Sequence, residues 1–340
     1  MSALFGKVFG RGAAPGWLVV DLGETRVSLA HVRREGARPV AEFVEERDWD
    51  PKEPRSLERV AKEFGAKRFA CTTLLRPADY QILLVDAPAV RREELKPAIR
   101  WRIKDMLDYH VDDATIDVLD LPLPVGAEAR PHQMYAVAAR NDTIRATIAR
   151  FEKAGIALSV IDIPDTAQRN AALLFEVEKR GAIALTFDPY GGLITAVFDG
   201  ELYLSRRLDI TAAQLAEAGD DERARLLDRI LVETQRSLDH CERSFPFFSL
   251  ARVLLGPVPE ESGVRAHLAA NLYLPVEALD LSQAMRLPAA SSGWDAIEGG
   301  RWLKLLGAGL RGEARALWVS GFFACYVPEV QPLQPALPLA

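Results

Sequence analysis

A chain of 340 residues that is 49% hydrophobic and 26% charged can bury two domain cores, which excludes disorder over most of its length. Its 48 acidic and 42 basic residues leave a formal charge of -6, without the basic footprint that counterion release on nucleic acid requires, so DNA and RNA are set aside as main partners. The three cysteines, Cys71, Cys241 and Cys325, are odd in number and far apart, which fits spectator thiols in a reducing compartment better than a disulfide framework or a metal site.

At the start, Leu4, Phe5, Val8 and Phe9 with Lys7 and Arg11 form a block too short for the core of a signal peptide. It is either a short amphipathic segment touching anionic lipid or a partner, or a plain terminus. Gly10 to Gly16 forms a linker, so residues 1–15 stand apart and the folded body begins near residue 16. Trp17 to Val20 and Val27 to Val32 predict a hairpin whose turn holds Asp21-Leu22-Gly23-Glu24-Thr25. Tyr80 to Ala87 is β-rich and leads into a helix with Leu95, Ile99 and Ile103 on one face. Ile116 to Leu121 and Met134 to Ala139 predict two more strands, and Asn141 is placed to cap a helix that stops at Gly155. A strand over Ile156 to Ile163 and a helix over Thr166 to Glu178 complete the first half, with a boundary near residue 180.

The second half opens as the first does. Leu18-Val19-Val20-Asp21 aligns with Leu185-Thr186-Phe187-Asp188, and at the same offset Ser28-Leu29-Ala30 aligns with Thr195-Ala196-Val197. A strand, an acid, a glycine-bearing turn and a returning strand, once per half, is the mark of a duplicated fold. A long helix follows with Leu226, Leu227, Ile230, Leu231, Thr234, Leu238, Cys241 and Phe245 on one face, and a late helix is marked by Trp302, Leu303, Leu306 and Leu310. Alternating strands and helices in two halves predict an α/β architecture with two mixed sheets. Beyond residue 315 lie an apolar run, Trp318 to Val327, about half the ~20 residues that cross a bilayer, and a proline-rich end.

Several short segments, in this order, resemble the PilM group of actin-like pilus assembly proteins, and within it the MshI branch that serves MSHA pili. They are Val19-Val20-Asp21-Leu22-Gly23; Glu93-Glu94-Leu95 with Ile99-Arg100-Trp101 and Asp117; Ala136-Val137-Ala138-Ala139-Arg140; Lys153-Ala154-Gly155-Ile156 with Ile161-Asp162; and Glu233 through Asp239. The resemblance runs from about residue 16 to about residue 312. It implies an actin-like fold of the FtsA/PilM type: domain I over 16–180 with an insert subdomain at about 76–135, domain II over 181–300, and a helix at 301–315 returning to domain I. It also implies a place on the cytoplasmic face of the inner membrane. There the chain would bind the cytosolic N-terminal tail of a bitopic PilN- or MshJ-like protein and adjoin the pilus motor ATPases, with Trp101 and Arg102 of the insert near the partner groove.

By the same resemblance a nucleotide, ATP with Mg, would lie between two glycine-bearing hairpins and an adenosine loop, where backbone amides approach phosphates that side chains would block. Asp21, Gly23, Glu24 and Thr25 meet the first requirement. The second hairpin departs, because Asp188 is followed by Pro189 and Tyr190 before Gly191 and Gly192, and the adenosine loop is Gly256-Pro257, whose proline has no amide hydrogen. A scaffold with a degenerate pocket and at most weak ATPase activity is the expectation, with no catalytic and no metal-ligating residue assigned. The alternatives are a GspL-like platform component of type II secretion and an actin-like small-molecule kinase. Asp86, Asp117, Asp120 and Asp162 show no spacing that pairs them for acid-base work, and Walker, dinucleotide and nucleophile-elbow patterns are missing.

Overall fold

The computed structural model describes residues 14–35, 38–53, 55–91, 94–123, 132–177, 179–289 and 297–312. The Leu4 to Arg11 block, Glu93, Cys325, the Trp318 to Val327 run and the proline-rich end lie outside the described residues.

The first half runs β1 (Ala14–Leu22), β2 (Arg26–Glu35), β3 (Arg38–Asp48), α1 (Ser56–Glu63) and β4 (Phe69–Leu74). It continues through β5 (Tyr80–Asp86), α2 (Leu95–Ile103), β6 (Ala114–Leu121), β7 (Gln133–Arg140), α3 (Asn141–Lys153), β8 (Leu158–Asp162) and α4 (Pro164–Ala172). The second half runs β9 (Arg180–Asp188), β10 (Gly191–Phe198), β11 (Glu201–Leu208), α5 (Ala212–Glu217), α6 (Asp220–Ser244) and β12 (Ser249–Leu255). After it come α7 (Val264–Asn271), β13 (Val276–Ala278), α8 (Leu281–Ala284) and α9 (Gly299–Gly309).

Two five-stranded sheets share one plan. Their orders are β3-β2-β1-β4-β8 and β11-β10-β9-β12-β13, and in each the first three strands in sequence are antiparallel while the last two run parallel to the first. The duplication expected from Asp21 and Asp188 is therefore present in the strand order. Its register differs from the constant offset: Asp21 pairs with Ser28, but Asp188 pairs with Gly191, so Gly191 and not Thr195 occupies the place of Ser28. The second hairpin is tighter because Pro189 and Tyr190 alone make its turn.

β5, β7 and β6 form a third sheet inserted between β4 and α3. Period-2 alternation gives it two apolar faces: Met134, Ala136 and Ala138 of β7 pack with Ile99 and Ile103 of α2, while Val137 and Ala139 turn toward Ile144 of α3 and Ile161 of β8. Tyr135, on that second face, reaches across to the second half, where its hydroxyl donates to Tyr203 O at 3.2 Å.

α3 ends as the sequence suggests. Gly155 has φ +69°, and the amides of Gly155 and Ile156 bond the carbonyls of Glu152 and Phe151, which is a Schellman closure. Its start differs: β7 enters the helix without a loop, so the cap position falls on Arg140. Asn141 instead donates to Asp112 O and accepts from Thr115, tying the helix to β6.

α4 and α9 lie between the two large sheets and touch backbone to backbone. A Cβ on Gly307 would stand 2.0 Å from Ala167 O, and one on Gly300 would stand 2.0 Å from Phe187 O. Asn170 Nδ2 donates to Gly307 O at 3.0 Å across the same contact. Two further ties join the halves. Arg286 pairs with the edge of β3 through Ala41 N to Arg286 O and Arg286 N to Pro39 O, both 2.9 Å, and Arg38 donates to carbonyls at the end of α8. Gly307→Ala is expected to lower unfolding stability by at least about 1–3 kcal/mol, the usual penalty of overpacking, whereas Gly312→Ala, with nothing within 4 Å of its Cβ, leaves it unchanged. Urea midpoints of the two variants measure the difference.

Candidate functional site

The β1–β2 and β9–β10 hairpins both reach α9. The first is closed by Gly23 N donating to Arg26 O at 2.8 Å and is backed by Trp49, whose indole donates to Gly23 O at 3.0 Å and whose amide donates to Thr25 O at 2.9 Å. Glu24 and Thr25 are exposed at its tip. In the second hairpin Asp188 accepts from Tyr190 N at 2.7 Å through Oδ1, and Gly192 is wedged between Phe187 and Leu208. Gly191 backs onto Leu208 O, and Tyr190 is half exposed. Gly256 follows β12 and uses its amide on Leu185 O at 2.8 Å.

Two cations from successive turns of α9 fill the space between the hairpin acids. Lys304 Nζ lies 2.5 Å from Asp188 Oδ2, with both side chains only 5% exposed. Arg301 lies 3.5 Å from Asp21 Oδ2, 3.1 Å from Glu46 and 3.3 Å from Glu298, and donates to Ser28 Oγ at 2.6 Å. Burial pushes the Asp21 carboxyl above its ordinary range, more than the neighbouring Arg301 pulls it down, and the charge of Asp188 adds to the upward push. Burial works against the Arg301 charge, but Asp21, Glu298 and Glu46 together hold its guanidinium above the ordinary arginine value.

A buried polar web lies below. Gln168 of α4 donates to Ala184 O and Leu193 O, both at 3.0 Å, and accepts from Thr186. Asp165 accepts from Tyr80 and Ser205, and Asp162 holds Arg311 at 2.7 Å. The other carboxylates are apart from it: Asp117 pairs with Lys96, Asp120 with His132, and Asp86 is exposed at the end of β5. These contacts are structural.

No family model and no curated protein sequence matches the chain. Solved structures do. The PilM–PilN type IV pilus biogenesis complex matches with a TM-score of 0.66 at 18% identity, over 87% of this chain and 98% of that one. The chain has an actin-like fold. Weaker likenesses are to the cytoplasmic domain of EpsL, an inner-membrane component of the type II secretion system of Vibrio cholerae (TM-score 0.47, 14% identity, 86% and 94% covered), and to a Bacteroides thetaiotaomicron protein with an actin-like ATPase fold (0.46, 10%, 80% and 92%).

The fold implies a nucleotide and its Mg²⁺ between the hairpins, and the residues present do not fit them. At the hairpins, the amides of Gly23 and Tyr190 are bonded within their own turns. The two acids that would face a metal hold Arg301 and Lys304. The space beside the second hairpin, bounded by Asp188, Tyr190, Gly191, Arg207 and Lys304, is about 30 Å³, room for a water. Gly299 and Pro257 pack against each other at the adenosine-loop position, where a Cβ on Gly299 would meet Pro257 Cβ at 2.4 Å. A cavity of about 1050 Å³, lined by Gly256, Pro257 and Gly299, opens toward α7 and α8 and shares no lining residue with the space beside Asp188.

Asp21, Gly23, Asp188, Gly191 and Gly192 are thus grouped around α9, while Trp101 and Arg102 lie elsewhere, exposed on α2. Sequence reasoning missed Arg301, Lys304 and Gln168. The available signal was a lysine inside α9, a helix otherwise built of apolar residues and glycine apart from Arg301, since lysine is almost never fully buried unless paired. Lys304→Met, which leaves the buried Asp188 without its cation, is expected to cost about 3–5 kcal/mol, and Lys304→Met with Asp188→Asn recovers most of it. Chemical denaturation of the two variants reads this directly.

Proposed function

We propose that this chain is a peripheral scaffold of a type IV pilus machine of the MSHA kind, acting at the cytoplasmic face of the inner membrane by binding the N-terminal tail of a bitopic PilN- or MshJ-like protein. The observation that carries the reading is an apolar junction where the insert meets the first half. Ile82, Val137, Ile148 and Leu158 are only partly buried there, around a core of Tyr80, Ile144 and Ile161. Two edge strands border it: β5 ends the insert sheet and β8 ends the first large sheet. An extended segment laid along such an edge gains main-chain hydrogen bonds and places alternate side chains in the apolar trough.

The likeness to a PilM that was solved together with PilN supports the choice of partner, and the poor fit of the cleft to Mg-nucleotide favours a binding protein over a sugar kinase. Among the described residues no helix is long and apolar enough to cross a membrane, which suits a chain held at the bilayer by its partner. The motor ATPases of the same machine are the next neighbours such a scaffold would meet. Trp101, 72% exposed with Lys104 5.2 Å from its ring, offers with Arg102 a second contact on the outer face of the insert.

Fluorescence anisotropy with a labelled peptide from the partner's tail tests the reading. Leu158→Asp or Ile148→Asp is expected to weaken binding at least about tenfold, the loss that follows from stranding a charge in an apolar contact, and Trp101→Ala to weaken it less. Unchanged affinity in both junction variants contradicts the proposed groove.

A further inference from the structure

The acids at the ends of β1 and β9 are committed to cations that the chain itself supplies. Lys304 and Arg301 stand one turn apart on α9, a helix anchored backbone to backbone on α4 and on Phe187. Lys304 takes the acid of the second half, and Arg301 takes Asp21, Glu46 and Ser28 of the first. One helix therefore holds both hairpins electrostatically, at the place where the fold implies a metal and phosphates bridging them.

We infer that Arg301 and Lys304 are a built-in replacement for the metal–nucleotide pair: a cationic clasp that keeps the two halves closed without ligand and masks a latent divalent-cation site at Asp21 and Asp188. The chemistry is one of substitution. Two positive side chains stand against a buried carboxylate, Asp188, and a partly buried one, Asp21, and a Mg²⁺ ion, which needs one or two carboxylates and keeps several waters, would have to displace them. Closure is independently supported away from the clasp by the Arg286–β3 pairing and by Tyr203, whose hydroxyl donates to Pro122 O at 2.9 Å. These contacts tie the halves together without a ligand. This inference does not rest on the partner-tail reading, since a closed clasp is compatible with any partner.

Removing the two cations unmasks the acids, and thermal unfolding reads the result. The wild-type protein is expected to show the same melting temperature in EDTA, in millimolar Mg²⁺ or Mn²⁺, and with Mg-ATP. Arg301→Ala with Lys304→Ala is expected to melt several degrees lower in EDTA and to regain part of the loss on addition of Mn²⁺ or Mg²⁺. The same variant with Asp21→Asn and Asp188→Asn gives no metal response. If the double variant does not fold, Lys304→Gln alone supplies the metal titration, with Lys304→Gln and Asp188→Asn as its control. A saturable rise in the wild-type melting temperature with Mg-ATP overturns the inference, as does indifference to metal in a folded variant that has lost its cations.

Discussion

The structure depends on the contact between α4 and α9. At Gly307 and Gly300 the helix approaches carbonyl groups more closely than any side chain permits, and that approach places α9 between the two large sheets. Everything chemically distinctive about the cleft follows. Once α9 lies there, its polar face must meet the acids at the ends of β1 and β9, and buried carboxylates without partners are not tolerated in a dry site. Arg301 and Lys304 satisfy both acids from one rigid element. Cleft chemistry and domain closure are thus one packing decision.

Gln168 extends the same logic to the second half. Its side chain sits between β9 and β10, donating to Ala184 O and Leu193 O and accepting from Thr186, so α4 is fastened to the very sheet whose hairpin Lys304 engages. The insert then makes the arrangement three-cornered, because one face of its sheet is used by α2 and the other by α3, β8 and the second half. Among the apolar side chains left only partly covered are those of the trough beside Leu158 and Ile148. A partner that adds a strand there would not disturb the clasp.

The larger plan was legible in the sequence because it is written in periodicity and in repetition. The apolar stripe of α6, the alternation of β7, the glycine stop at Gly155 and the recurrence of a strand ending in an acid each have a local cause that a window of residues contains. The hairpin register was not legible, since Ser28-Leu29-Ala30 and Thr195-Ala196-Val197 look alike while the turn between Asp188 and Gly191 is short enough to shift the pairing. The capping assignment at Asn141 failed for a related reason, as β7 runs into α3 without the loop a cap needs. The Tyr190 and Pro257 departures are visible in the sequence, and the structure places them in the turn between Asp188 and Gly191 and against Gly299. The partners of Lys304 and Arg301 were not legible, because Lys304 meets its acid across 116 positions of chain and Arg301 meets Asp21 across 280. No local pattern carries such a pairing.

Hydrogen–deuterium exchange at the two hairpins, with and without saturating Mg-ATP, bears most directly on a cleft closed by its own side chains. The amides of Gly23 and Tyr190 are bonded within their turns, so the account predicts identical, ligand-independent protection in the segments that contain them. Nucleotide-induced protection of both hairpins together would contradict it.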